Sequence, residues 1–226
     1  MSVSLTSLRL LESLSSPGPA EPPFVVHTAR DMGRIRPLQR LPESRRFEMQ
    51  VVAAVLPFRV NQYVIDELID WDAAPDDPIF QLVFPQRGML DDAHFDEIAG
   101  LIRREAGRDE LDAAVARIRA ELNPHPAGQM ALNMPRDLDG SVIEGLQHKY
   151  RETVLFFPSQ GQTCHSYCSF CFRWAQFVGD KSLRIASSEA ETLRQYLAAH
   201  PAVSDLLLTG GDPMVMKTAH LARYIE

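Results

Sequence analysis

The sequence predicts an α/β fold, in which a mainly helical N-terminal region leads into the start of a parallel βα sheet or barrel. Between Phe95 and Leu122, apolar residues recur every three or four positions, as one face of a helix requires. Further along, Thr153–Pro158 and Asp205–Thr209 are largely apolar runs of strand length, and a helical pattern lies between them. Strand, helix and strand in this order are typical of a βαβ unit, whose strands are parallel.

Changes in composition divide the chain into three segments. Residues 1–46 contain a proline-rich stretch and a basic stretch without apolar periodicity, so we expect a disordered or loosely attached extension there. Residues 47–145 comprise the helical region and a connecting loop. Residues 146–226 comprise the first βαβ part of the sheet or barrel.

The helical region contains elements of differing clarity. Met49–Leu56 is an apolar run whose pattern fits a helix or a strand. We predict a short helix over Val60–Asp70 and a short extended segment over Ile79–Pro85. Two helices on either side of Gly107 are expected to form a hairpin, and residues 123–145, with three prolines and three glycines, are expected to form a loop.

The C-terminal segment contains two predicted helices. The first is expected to begin with a capping box formed by Ser188 and Glu191 and to end before Pro201. The second begins near Thr218 and is still amphipathic at Glu226. A complete parallel βα barrel takes about 250 residues, far more than this segment provides. We therefore expect the barrel to be truncated and the chain to be a fragment.

Composition excludes some classes of function. A net charge of −7 and a pI near 5.5 in 226 residues argue against a nucleic-acid partner, which would require a basic face. The N-terminus lacks the apolar core and cleavage site of a secretory signal, and no apolar run has the length of a membrane span. We expect a cytoplasmic protein without a membrane partner.

All three cysteines lie within residues 163–174, Thr-Cys-His-Ser-Tyr-Cys-Ser-Phe-Cys-Phe-Arg-Trp. An odd number of cysteines leaves one unpaired, and cytoplasmic thiols stay reduced, so a disulfide framework is not expected. A metal or cluster site remains. One alternative is structural zinc with His165 or His148 as a fourth ligand, although zinc sites usually pair their cysteines in two separate knuckles.

A second unusual loop, Gly210–Met214, follows the second predicted strand. Loops that leave the C-terminal ends of parallel strands gather at one edge of a sheet, so this turn and the cysteine-containing loop, residues 159–174, are expected to lie side by side. Glycine lacks a Cβ, which allows the backbone of the turn to approach a small molecule closely.

These motifs together resemble the radical S-adenosylmethionine superfamily, which shares the C-x3-C-x2-C spacing with an aromatic residue before the last cysteine and a Gly-Gly-Asp-Pro turn one βα unit later. Within that superfamily the chain resembles the front part of the lysine 2,3-aminomutase family. The likeness spans residues 46–226 and is strongest in Gly145-Leu-Gln-His-Lys-Tyr-Arg-Glu-Thr-Val-Leu-Phe-Phe and Asp205-Leu-Leu-Leu-Thr-Gly-Gly-Asp.

The resemblance implies a ligand set for two cofactors. A 4Fe-4S cluster would be held by Cys164, Cys168 and Cys171, and its open iron would bind the amino and carboxylate groups of S-adenosylmethionine. That cofactor would be contacted by the aromatic residue and the glycine turn, namely Phe170, Gly210, Gly211 and Asp212.

The implied activity is an amino-group migration of the lysine 2,3-aminomutase type, an isomerisation that depends on pyridoxal 5′-phosphate. Reductive cleavage of S-adenosylmethionine would give a 5′-deoxyadenosyl radical, with a flavodoxin- or ferredoxin-type electron donor. Arg173, two residues after the last cysteine, matches the family position that binds the carboxylate of an amino-acid substrate. A homo-oligomer is a further expectation.

The sequence also departs from the family pattern. Family members follow the last cysteine with a run of arginines, whereas only Arg173 is basic in residues 172–177. They also have an arginine just before the valine of the first strand, where this chain has Thr153. The lysine that holds pyridoxal phosphate lies in a later part of the family, so we expect the chain alone to be inactive. The alternatives are a non-catalytic remnant that binds a cluster or zinc, and a radical enzyme with another substrate and no pyridoxal phosphate.

Overall fold

The computed structural model describes residues 24–137 and 139–226. Residues 24–145 are mainly helical, and residues 146–226 form a small sheet with helices packed against it. The mixed α/β class predicted from the sequence is confirmed. None of the helices in the described ranges combines the length and the apolar character needed to cross a membrane.

The described part of the segment that precedes residue 47 is residues 24–46, and it contains regular structure. Strand β1 (Val26–Thr28) pairs antiparallel with β2 (Arg59–Asn61), and two 3₁₀ turns follow β1. The expectation of a loose extension is therefore wrong for residues 24–46, and for residues 1–23 it lies outside the described residues. A 3₁₀ helix has three residues per turn, so its buried side chains lie three positions apart rather than in the α-helical pattern. The buried residues here follow that spacing: Met32, Ile35, Leu38 and Leu41.

Three helices form the core of the N-terminal region. They are α1 (Glu43–Val55), α3 (Asp92–Arg103) and α4 (Arg108–Glu121), of which α3 and α4 form the predicted hairpin around Gly107. Met49–Leu56, which the sequence left open, is helical up to Val55. The apolar stripes of the three helices meet in a fully buried cluster that includes Val51, Val52, Val55, Ile98 and Ile118.

Two predictions in the N-terminal region are wrong. Val60–Asp70 is not a single helix, because it begins within β2 and continues as a π-helical turn over Val64–Leu68. Ile79–Pro85 is not extended, because α2 spans Pro78–Val83. The Asp77 carboxylate accepts a hydrogen bond of 2.7 Å from the Phe80 backbone N–H, and Pro78 occupies the first helical position, so the residues that suggested a break form an N-cap.

The C-terminal sheet has the strand order β3 (Leu146–Tyr150), β4 (Thr153–Phe156), β5 (Asp205–Leu208). The strands β4 and β5 are parallel, and α6 (Ala190–Ala199) lies between them in sequence, which confirms the βαβ unit. A final helix, α7, spans Thr218–Ile225. The strand β3 pairs antiparallel with β4; its polar sequence, Leu-Gln-His-Lys-Tyr, does not predict a strand.

Helix α6 ends before Pro201, as predicted, but the capping box does not form. Glu189 is the N-cap, and its backbone N–H donates to the Ser187 hydroxyl at 3.1 Å. The Glu191 carboxylate instead pairs with Arg194 one turn later. A short helix, α5 (Gln129–Leu132), interrupts the predicted loop.

Truncation of the helical core provides a test of the N-terminal fold. We expect Ile98→Ala, which leaves a cavity between α1, α3 and α4, to lower the free energy of unfolding by roughly 2–5 kcal/mol. Leu132→Ala is a matched control, because this leucine is 77% exposed, and should change stability by less than about 0.5 kcal/mol. Denaturant unfolding measures both changes, and equal effects of the two substitutions would contradict the assigned core.

Candidate active site

The two unusual loops leave the same edge of the sheet. Phe156 and Leu208 are the last paired residues of the parallel strands β4 and β5, and the Thr209 N–H donates to the Phe156 carbonyl at 2.8 Å. The chain then enters the cysteine-containing loop after β4 and the glycine turn after β5. Because the strands are parallel and in register, both loops start side by side, as predicted.

Backbone hydrogen bonds join the glycine turn to the root of the cysteine-containing loop. The Gly211 N–H donates to the Gly161 carbonyl at 3.2 Å, and the Asp212 N–H donates to the Thr163 carbonyl at 2.7 Å. A Cβ on Gly211 would overlap the Thr163 carbonyl. The backbones therefore approach so closely that only glycine fits at position 211.

The side chain of Gln162 forms a second connection between the loops. Its Nε2 donates to the Pro158 carbonyl at 3.0 Å and, at 3.4 Å, to the Thr209 carbonyl, so one amide group links the ends of the two strands. A Cβ on Gly210, whose φ is +124°, would overlap this amide. No sequence motif predicts this role; the only signal is that Gln162 lies two residues before Cys164.

The three cysteines are free thiols on one loop. Cys168 is exposed, whereas Cys164 and Cys171 are half-buried. The Cys171 N–H donates to the Cys168 carbonyl at 3.1 Å, which folds the two-residue spacer into a tight turn. The loop thus carries its sulfurs on a short, hydrogen-bonded segment.

Burial disfavours the charged form of the two half-buried thiols. Desolvation raises the pKa of Cys164 to about 11, and the nearby charges of Cys171, Asp212 and Cys168 add to the effect. Desolvation also raises the pKa of Cys171. Without a cation, these thiols remain protonated at neutral pH, whereas iron bound to the sulfurs would stabilise the thiolates.

Within residues 24–137 and 139–226, no three His, Cys, Asp or Glu side chains converge on a single metal position. A cubane cluster does not require such convergence, because each cysteine ligates a different iron. Three thiols on one loop are a donor set that fits such a cluster. His148, one candidate zinc ligand, is engaged elsewhere, with its Nδ1 at 2.6 Å from the Tyr196 hydroxyl. His165 Nε2 lies 3.8 Å from Asp212 Oδ2.

Arg173 lies at the same edge of the sheet. Its guanidinium is half-buried, lies over the rings of Phe157 and Phe172 at 5.2 and 5.1 Å from their centroids, and donates to Thr209 Oγ1. Burial lowers its pKa. Among the described residues no carboxylate lies within ion-pair distance of it, so this partly desolvated cation has a neutral hydroxyl and two aromatic faces as its neighbours.

Phe170, predicted to contact S-adenosylmethionine, is 76% exposed. It lies between Cys168 and Cys171 and is free to meet a ligand at the surface of the loop. Asp212, from the glycine turn, is near enough to Cys164 to raise the pKa of that thiol, and its Oδ1 accepts a hydrogen bond of 2.9 Å from the Met214 N–H. The structure therefore brings Asp212 close to the cysteines.

The middle of the cysteine-containing loop is bound to the N-terminal region. The Tyr167 N–H donates to the Arg59 carbonyl at 2.8 Å, and the Ser169 N–H donates to the Leu82 carbonyl at 2.7 Å. The Ser166 hydroxyl accepts from the Asn61 N–H at 3.2 Å. The sequence did not predict these contacts, since hydrogen bonds between residues about 85 to 110 positions apart leave no local pattern.

No family model matches the chain. It is 30% identical over 189 residues to a putative L-lysine 2,3-aminomutase of Aquifex aeolicus, over 84% of this chain and 39% of the relative. The identity to the L-lysine 2,3-aminomutase of Escherichia coli is 33% over 91 residues, 38% of this chain and 24% of the relative. The chain is related to the lysine 2,3-aminomutases, a radical S-adenosylmethionine family. The resemblance predicted from the motifs is confirmed.

The matches are partial in length. The enzyme of Methanococcus maripaludis is 32% identical over 88 residues, which are 39% of this chain and 19% of the relative. The chain thus spans about two fifths or less of the length of these curated relatives.

Substitution in the glycine turn tests its contact with the cysteine-containing loop. We expect Gly211→Ala to lower the free energy of unfolding by about 1–3 kcal/mol, because the new Cβ must displace the Thr163 carbonyl and break the hydrogen bond to Asp212. Gly100→Ala in α3 is the control, because the new Cβ meets no atom within 4 Å. This substitution should raise the free energy of unfolding by about 0.5–1 kcal/mol. Thermal unfolding that is unchanged in Gly211→Ala would contradict the close approach.

The raised pKa of Cys164 predicts a pH dependence of the metal-free, reduced protein. The rate at which iodoacetamide alkylates Cys164 should keep rising with pH up to about pH 11, because only the thiolate reacts. Peptide mass spectrometry measures this rate. The folded form retains this proton to a higher pH than the unfolded chain, so the stability contributed by Cys164 should fall as pH rises from the ordinary thiol pKa of 9.0 to about 11. A rate that levels off below pH 9 would show that the thiol is not desolvated.

Proposed function

We propose that this chain forms the radical-generating part of a radical S-adenosylmethionine enzyme of the lysine 2,3-aminomutase type. The observation that carries the proposal is the contact between the loop with three cysteines and the Gly210–Gly211 turn, made through Gly161, Thr163 and Gln162. The three-stranded sheet would be the start of a partial barrel, with residues 47–145 as its helical N-terminal region.

The cysteine-containing loop supplies the ligands of a 4Fe-4S cluster in this proposal. Cys164, Cys168 and Cys171 would each hold one iron, which leaves the fourth iron open for S-adenosylmethionine. Bound together, the cluster and S-adenosylmethionine would supply a 5′-deoxyadenosyl radical able to abstract a substrate hydrogen. The half-burial of Cys164 and Cys171 restricts the access of water to two of the three ligating sulfurs.

The neighbouring residues would hold S-adenosylmethionine. Gly210, Gly211 and Asp212 lie beside the root of the cysteine-containing loop, where they can contact the methionine end of the cofactor, and Phe170 is exposed on the loop for contact with its adenine. The glycine turn is fixed by backbone hydrogen bonds before any ligand arrives, which reduces the ordering cost of binding.

The substrate in this proposal is a small amino acid whose carboxylate binds Arg173. This guanidinium is already partly desolvated and has no acidic partner in the described part of the chain, so a substrate carboxylate would provide its missing counter-charge. Pyridoxal 5′-phosphate would be the second cofactor of the complete enzyme, and a flavodoxin- or ferredoxin-type protein its electron donor.

Anaerobic reconstitution of the full chain with iron and sulfide tests the proposal. After reduction we expect an electron paramagnetic resonance signal of a 4Fe-4S cluster that changes when S-adenosylmethionine is added. Replacement of Cys168 by Ala should abolish the signal through loss of one iron ligand. Metal analysis should find iron rather than zinc.

His165→Ala is the control for the zinc alternative, since it removes the nearby imidazole and leaves all three thiols. It should retain the cluster signal. Stoichiometric zinc that is lost on His165→Ala, or a cluster signal that does not respond to S-adenosylmethionine, would contradict the proposed function.

A further inference from the structure

The residues between the cysteines are held by the N-terminal region at three points. Ser166, Tyr167 and Ser169 each form a hydrogen bond with a residue about 85 to 110 positions earlier in the chain. We call these contacts the loop clasp. They join the strand β2 and the helix α2 to the segment that carries Cys164, Cys168 and Cys171.

One side of the loop clasp is built on a buried asparagine. Asn61 lies at the end of β2 and is 7% exposed. Its Oδ1 accepts from the Val64 N–H at 2.9 Å, which fixes its side chain, while its backbone N–H donates to Ser166 Oγ at 3.2 Å. Next to it, the Arg59 carbonyl accepts from the Tyr167 N–H at 2.8 Å. This side of the clasp therefore has little freedom to move.

The other side of the loop clasp completes the C-terminal end of α2. The last carbonyls of a helix have no partner within the helix, and in α2 these include the carbonyls of Gln81 and Leu82. Ser169 satisfies both: its Oγ donates to the Gln81 carbonyl at 2.8 Å and its N–H to the Leu82 carbonyl at 2.7 Å. A residue of the cysteine-containing loop thus acts as a C-cap for a helix of the N-terminal region.

We propose that Ser166 and Ser169 are positioning residues, through which the N-terminal region determines the arrangement of the three cysteine sulfurs. The clasp acts on the segments Cys164–Cys168 and Cys168–Cys171, because each contains one of the two serines. Its relevance to a cluster rests on the proposed function, whereas its effect on the thiols does not.

The double substitution Ser166→Ala/Ser169→Ala in the full chain tests the clasp. In the metal-free, reduced protein we expect Cys164 and Cys171 to react with iodoacetamide about tenfold faster, because loss of the side-chain hydrogen bonds lets these half-buried thiols reach solvent. Peptide mass spectrometry identifies the alkylated cysteine. After reconstitution, the cluster should be lost to a chelator faster than in the unsubstituted protein.

Two comparisons separate positioning from general destabilisation. Ser204→Ala removes an exposed hydroxyl that bonds only Asp205 and should leave thiol reactivity unchanged. Ser169→Thr keeps the hydroxyl, so its thiols should react with iodoacetamide as slowly as those of the unsubstituted protein. If the double variant does not fold, the two single variants give the same comparison.

The outcomes distinguish the two proposals. Equal alkylation rates in the unsubstituted and substituted proteins, both folded, would overturn the clasp. Absence of a cluster in every protein, together with faster alkylation in the variants, would overturn the proposed function and support the clasp.

Discussion

The candidate site depends on the close approach of two backbones at the edge of the sheet. The Gly211 and Asp212 N–H groups bond to the carbonyls of Gly161 and Thr163, and this is possible only because position 211 has no Cβ. The parallel pairing of β4 and β5 places the two loops next to each other, but it does not fix their separation. The glycines set that separation, and the Gln162 amide maintains it.

The N-terminal region gives the site its second support. A buried cluster that includes Val60 and Phe80 packs β2 against α2. These two elements present Asn61 and the C-terminal end of α2 to the cysteine-containing loop. The loop is thus held at its root by the sheet and at its middle by the helices, so a segment of irregular backbone obtains a defined conformation without regular secondary structure of its own.

Local patterns explain which parts of this structure could be predicted from the sequence. The hairpin of α3 and α4, the parallel strands and the adjacent motif loops follow from periodicity and topology. Residues 24–46 have buried side chains with a period of three, which differs from the α-helical pattern. Helix α2 begins at a proline, a residue that can either start a helix or end one. The contacts of Gln162, Ser166 and Ser169 depend on tertiary proximity, which no local pattern encodes.

Burial determines the protonation and solvation of the titratable groups at the site. Cys164 and Cys171 are protonated without a cation, and Arg173 is partly desolvated without a carboxylate among the described residues. Burial disfavours the charged form of each group: it keeps the two thiols neutral and leaves the guanidinium less solvated than it would be in water. In the proposed function, iron would stabilise the thiolates at one end of the site, and a substrate carboxylate would pair with the guanidinium at the other. The two ends meet at the strand termini, where Thr209 touches Arg173 and precedes the glycine turn.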